Sequence, residues 1–233
     1  MVAVASSTVA ADWSRRSRSS RTASAPPARR SIDFSRKPST QVRAADMSRY
    51  FKLQDHMSIP GRWVLGGPFD EQGNELDSWR FGKGERVERA GVSHFKMSHP
   101  GDAVDISQTG LGIPVISGRV AAVLEQLCPQ DVQLLAARVE GRTEPWFILN
   151  VLHIIRCIDD ARCGEVQYWK PEDGRPEKLG EYFYIHRLKV DPTKIQGTHI
   201  FRPWGWSAAM IISEPLKEAL EAQGITGMRY IEA

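Results

Sequence analysis

Residues 210–233 read MIISEPLKEALEAQGITGMRYIEA, a strand, a helix and a second strand complete with their start and stop signals. Met210, Ile211 and Ile212 form a short apolar run of the kind that fits a buried strand. Ser213 then offers the hydroxyl that a helix N-cap needs, Glu214 suits the positive end of the helix dipole, and Pro215 is tolerated in the first turn, where its missing N–H would be unpaired anyway. Leu216, Ala219 and Leu220 fall at i, i+3 and i+4, one apolar stripe in which each buried leucine contributes about 1.5–3 kcal/mol. Gly224 stops the helix in the left-handed conformation, Ile225 folds back on the stripe, and Thr226-Gly227 turns the chain into the alternating strand Met228 to Glu232.

Such a unit needs a larger sheet to cover it. The chain has 233 residues and a hydrophobic fraction of 41%, enough for one large domain or two small ones. Residues 1–46 hold nine Arg or Lys against three Asp, so residues 47–233 hold 22 bases and 25 acids, and the folded part is slightly acidic although the whole chain is +3. The first 46 residues are rich in Ser, Ala, Pro and Arg and bury too little to offset the entropy of ordering, so they are expected to form a disordered basic arm. Strand-like sequence begins at Met47, which points to Met47 as the natural start and to residues 1–46 as an over-long reading of the gene. No apolar run approaches the roughly 20 residues that span a bilayer, and three cysteines, Cys128, Cys157 and Cys163, are too few for a disulfide framework. A protein of the reducing cytoplasm, with no membrane association, is expected.

Between these ends the texture is that of an α+β fold, mostly antiparallel sheet with a few packed helices. Tyr50, Phe51 and Leu53 open it, Trp63 to Gly67 follows, and Val92 to Met97 and Ala103 to Ile106 make short extended pieces. Ser117 is placed to cap a helix over residues 118–128, with Val120, Val123, Leu124 and Leu127 on one face. Val132 to Val139 and Trp146 to Ile158 are expected to pair as a long antiparallel hairpin. Residues 159–181 form a long polar loop with seven acids and four bases, carrying a short strand at Val166 to Trp169; Tyr182 to Val190 and His199 to Phe201 extend again.

Tests for chemistry are negative. The six histidines show no metal-ligand spacing, no serine lies in a nucleophile elbow, and Gly66-Gly67 and Gly110-x-Gly112 lack the spacing and the Lys-Ser/Thr of a phosphate loop. No cofactor is expected. Trp204 and Trp206 flank Gly205, either as an exposed stacking platform or, with better precedent for such pairs, as core or hinge packing.

Several motifs in order resemble a known family. They are Arg-Tyr-Phe-x-Leu at 49–53, Pro-Gly-Arg-Trp at 60–63, Asp-Val-Gln-Leu-Leu at 131–135, Arg-Cys-Ile-Asp at 156–159, Tyr-Trp-Lys-Pro at 168–171, Val-Asp-Pro-Thr-Lys-Ile at 190–195, Phe-Arg-x-Trp-Gly-Trp at 201–206 and the terminal unit. Together they are similar to bacterial immunity protein family eleven, which guards cells against polymorphic toxins. The resemblance implies a single α+β immunity-type domain over residues 47–233 that is not an enzyme and that binds and neutralises a cognate toxin, often a nuclease, encoded by a neighbouring gene. An acidic inhibitory face is then expected from Asp70, Glu71, Glu75 and Asp77 with Asp159, Asp160, Trp169, Glu172 and Asp173, because acidic side chains steer encounter with a basic cleft while desolvated aromatic contacts hold it. The alternative is a nucleic-acid-binding or regulatory module that uses the basic arm, and catalysis by an unrecognised site is a third class.

Overall fold

Strand alternation decides how the layers stack. In the computed structural model, residues 49–88, 91–109 and 112–233 are described, so the expectations for residues 1–46 and for a start at Met47 lie outside the described residues. In chain order, β1 (Tyr50–Asp55), β2 (Val64–Phe69), β3 (Ser93–His99), β4 (Ile106–Gln108) and β5 (Pro114–Ser117) lead to helix α1 (Gly118–Leu127). Next come β6 (Val132–Val139), β7 (Trp146–Val151), β8 (Ile154–Ile155), β9 (Glu165–Tyr168), β10 (Tyr182–His186), β11 (Ile200–Pro203) and β12 (Met210–Ser213). Helix α2 (Glu214–Ala222) and β13 (Met228–Glu232) close the fold. The expected α+β class is the one observed.

Two mixed sheets carry the structure. One runs β13-β1-β12-β11-β8 and the other β2-β3-β6-β7-β5-β4, while β9 and β10 form a separate two-stranded ribbon. The pairs are antiparallel except β11 with β8 and β3 with β6. Odd and even residues of the buried strands go to different cores. Met210 and Ile212 face α1, α2 and Phe51, whereas Ile211 faces the far side with Tyr50, Phe201 and Cys157. In the other sheet Ile116 and Leu149 join that helix-covered core, and Val115 and Ile148 join a third cluster around Trp63, Phe81 and Trp146. Sheets covered on both faces explain why the central strands read as unbroken apolar runs rather than as alternation.

The terminal unit folds as its lettering dictates. Ser213 Oγ accepts from Leu216 N, and α2 ends with Gly224 N donating to Glu221 O and Ile225 N to Leu220 O, the paired bonds of a Schellman cap made possible by Gly224 at φ +62°. β1 lies between β12 and β13, with Phe51 opposite both Ile212 and Glu232.

Elsewhere long-range contacts override local signals. Ser117 stands at the N-cap of α1, yet its side chain caps nothing: Oγ donates to Asp105 Oδ1 at 2.9 Å. The expected long hairpin is real over β6 and β7 but stops at Val151, because Ile154 and Ile155 cross to the other sheet and pair with Arg202 and Pro203. Within residues 159–181 the short strand expected at Val166 to Trp169 is present, one residue earlier at Glu165–Tyr168. This strand, β9, pairs with β10 and is followed by two short 3-10 turns, Pro171–Asp173 and Pro176–Lys178.

Candidate binding cleft

Four segments distant in sequence meet around a cleft of about 480 Å³: the 3-10 turn Ser78–Gly82, the β9–β10 ribbon, the turn that follows β11, and Gln108 at the end of β4 with Gly112 and Ile113 just before β5. Asp77 starts the first by accepting from Trp79 N at 3.0 Å; the turn then sends Phe81 into the core and leaves Trp79 78% exposed. The ribbon contributes Trp169, Lys178, Glu181, Tyr182 and Phe183. Trp169 and Phe183 meet edge to face at 4.8 Å, and Lys178 Nζ lies 5.3 Å from the Trp169 ring centre. The third segment contributes Arg202, Gly205 and Trp206. Gly205 has φ +76°, its carbonyl accepts from Tyr182 N, and a Cβ there would stand 3.1 Å from the Tyr182 ring, so this glycine lets the turn lie flat against the ribbon.

Aspartate and tyrosine side chains hold the ribbon in shape. Asp160 accepts from the hydroxyls of Tyr168 and Tyr182, whose rings lie 4.9 Å apart. Burial and then the hydrogen bond to Asp160 push the Tyr182 hydroxyl far above its ordinary pKa, and the Asp160 bond is the main cause of the rise at Tyr168. Both hydroxyls are therefore donors at any physiological pH.

Of the nine residues expected at an acidic face, Trp169 lines the cleft and the other eight lie outside its lining. Asp70 accepts from Gln72 N, Asn74 N and Asn74 Nδ2, bonds that lower its pKa, led by the Asn74 amide, and close the loop after β2. Glu71 is exposed and accepts from Val92 N, and Glu75 is exposed opposite Phe69. Asp77 caps the turn that presents Trp79. Asp159 accepts from Arg162 N at 3.3 Å, and Asp173 accepts from Lys170 N at 2.8 Å beside the exposed Glu172.

Sequence reading missed the cation of this cleft. Arg202 is only 5% exposed although it lies in an apolar strand, and an arginine inside the run Ile200 to Pro203 was the signal available. Trp204 and Trp206 are both half-buried: the Arg156 guanidinium covers the Trp204 ring, and Trp206 packs on the Phe201 cluster. The pair is packing more than platform.

His153, His199 and the three thiols are held by their surroundings. His199 Nδ1 lies 2.8 Å from Ser213 Oγ, but Asp131 meets the backbone N of His199 and the ring of His153 instead of the His199 ring. The three groups thus lack the relay of a serine nucleophile, and Ser213 is fully buried as a helix cap. Burial pushes the Cys128 and Cys157 thiols up to about 12 and raises Cys163 to a smaller extent, so all three are neutral thiols at pH 8. With iodoacetamide at pH 8, the native chain is expected to label first at half-buried Cys163, with Cys128 and Cys157 modified only on unfolding; peptide mass mapping over time reads the order. Among the described residues no group of three His, Cys, Asp or Glu is arranged to hold a metal, and no helix is long and apolar enough to cross a membrane.

Comparison with known proteins places these features in a family. The sequence model of the immunity protein family (Imm11) matches residues 33–233, which takes in the terminal unit, both sheets, the ribbon and the cleft and reaches fourteen residues ahead of Met47. No curated protein matches the chain.

Proposed function

Because the chain belongs to the immunity protein family (Imm11), we propose that it binds a cognate polymorphic toxin inside the producing cell and blocks it by covering its working surface. The family match over most of the chain carries this reading. In this proposal the toxin is encoded by a neighbouring gene and is a nuclease with a basic cleft, the complex forms in the cytoplasm, and protection extends to kin carrying the same pair. The chain acts by occupancy and turns over no substrate.

The surface supports this. Trp79 and Phe183 are large exposed aromatics in the cleft lining, the residue types that supply most binding energy when a partner desolvates them. The acidic loops that hold Asp70, Glu71, Glu75 and Asp77, and Asp159, Asp160, Glu172 and Asp173, lead into the turn and the ribbon that line it. These carboxylates steer a basic partner and set its register, while Trp169 belongs to the contact itself.

Co-expression tests the reading. The toxin domain encoded beside this gene is expected to kill a host when expressed alone and to be harmless when the chain is present; killing at the same rate in its presence sinks the proposal. Reversing the charge of both acidic loops is expected to slow association about tenfold or more, with a weaker dependence on salt. Unchanged association kinetics would remove these residues from the interface.

A further inference from the structure

Among the described residues Arg202 carries a charge with no opposite charge paired to it. Its Nη1 donates to Ser207 O at 2.6 Å, its Nε has no acceptor among the described residues, and no carboxylate among them lies within ion-pair distance. Burial lowers its pKa to about 10, which still leaves it a cation at neutral pH. Holding an unpaired guanidinium out of water is costly, and an arriving anion relieves that cost while its oxygens meet the planar fork.

The surroundings define what that anion is attached to. Arg202 reaches the cleft together with Lys178 and a single carboxylate, Glu181, so the lining is net positive although the neighbouring loops are acidic. Trp79, Trp169, Phe183 and Trp206 supply aromatic wall, with Trp79 and Phe183 the most exposed of them. A cleft of about 480 Å³ is the size of a few side chains, and its lining includes the exposed rings of Trp79 and Phe183, which a compact metabolite would leave partly uncovered.

We infer that this cleft is a carboxylate-binding subsite of the inhibitory face: Arg202, with Lys178 at the rim, receives an Asp or Glu of the toxin, and the cleft's aromatic residues cover the apolar residue next to it. The inference rests on the toxin-binding reading. It reverses the expected polarity at one point of the contact, since here the immunity protein supplies the cation and the toxin the acid. A pattern of acidic loops around a basic socket fixes register better than a single-signed face does, because a misdocked partner sets like charges together.

The test uses the full chain and the co-encoded toxin domain, with the dissociation constant measured at two salt concentrations for the native chain, Arg202→Met, Lys178→Glu and the exposed control Arg229→Glu. Arg202→Met keeps the length and apolar character of the buried stem; Lys178→Glu changes a half-buried rim residue and keeps the test valid if the first variant folds poorly, which thermal unfolding of each reveals. Arg202→Met is expected to weaken binding at least ~30-fold and Lys178→Glu roughly tenfold, while Arg229→Glu stays within about threefold of native. Native affinity in both cleft variants overturns the socket while leaving toxin binding in place. Failure of the native chain to bind the toxin overturns both. Tight binding of inorganic phosphate to the native chain, lost in Arg202→Met while toxin affinity is unaltered, assigns the cleft to a small anion and also overturns the inference.

Discussion

Gly227→Ala is expected to unfold the protein about 8–16 °C below the native chain, a loss on the order of 4 kcal/mol for a compact unit of this size. Gly227 has φ +104°, a region that costs any other residue, and a Cβ there would stand 2.0 Å from the carbonyl oxygen of Ile106. That oxygen belongs to β4 and cannot retreat cheaply. Ile106 N donates to Thr226 O, the Asp105 carboxylate accepts from Thr226 N and Thr226 Oγ1, and His56 N donates to Gly227 O. The turn is thus clamped to both sheets at the point where any added atom must push them apart. Gly174→Ala is the matched control, with φ +68° but nothing within 4 Å of the new methyl, and about 1 kcal/mol is expected from backbone strain alone. Equal melting temperatures for the two variants would show that the close approach has no energetic weight.

Asp55→Leu is expected to cost about 3–5 kcal/mol, more than replacing Asp55 and Arg62 together. Arg62 Nη1 meets Asp55 Oδ1 at 2.7 Å with both side chains shielded from water, and Nη2 donates to Ser107 Oγ, which also accepts from Trp63 Nε1 at 2.7 Å. The network joins the end of β1 in one sheet to β4 in the other. Removing the carboxylate leaves a guanidinium buried without its counter-charge. Replacing the pair by Leu and Met removes both desolvated charges and leaves the Trp63–Ser107 bond intact, so the double variant is expected to fall within about 1.5 kcal/mol of native. Urea unfolding of the four members of the cycle measures the coupling. A double variant as unstable as the sum of the singles would mean that the two charges do not act as a pair.

The sequence was legible where signals were local. The last 24 residues carry cap, stripe and stop within one helical turn of where they act, and Ser213 and Gly224 do what their positions require. Ser117 sits in the same kind of position and does something else, because Asp105, twelve residues earlier, takes its hydroxyl. The β6–β7 hairpin was visible from alternation and a turn, but the departure of Ile154 to pair with Arg202 depends on a partner 48 positions away. The cleft was hidden for the same reason. Trp169 stood out by type within a polar stretch, whereas Arg202 and Lys178 acquire meaning only when the turn after β11 and the ribbon are brought beside Ser78–Gly82. The acidic residues expected at the partner face stand out by charge density alone, and Asp70 and Asp77 shape the loops that hold them.

The position of β1 between β12 and β13 has a consequence for synthesis. As the chain leaves the ribosome, its first strand emerges more than 150 residues before either neighbour, and the whole six-stranded sheet must appear in the interval. Throughout that interval Tyr50, Phe51 and Leu53 expose apolar side chains and two rows of unpaired amides. The sheet can shut only once β12 and β13 have both emerged, and until then the uncovered strand is an adhesive surface that favours holding by chaperones.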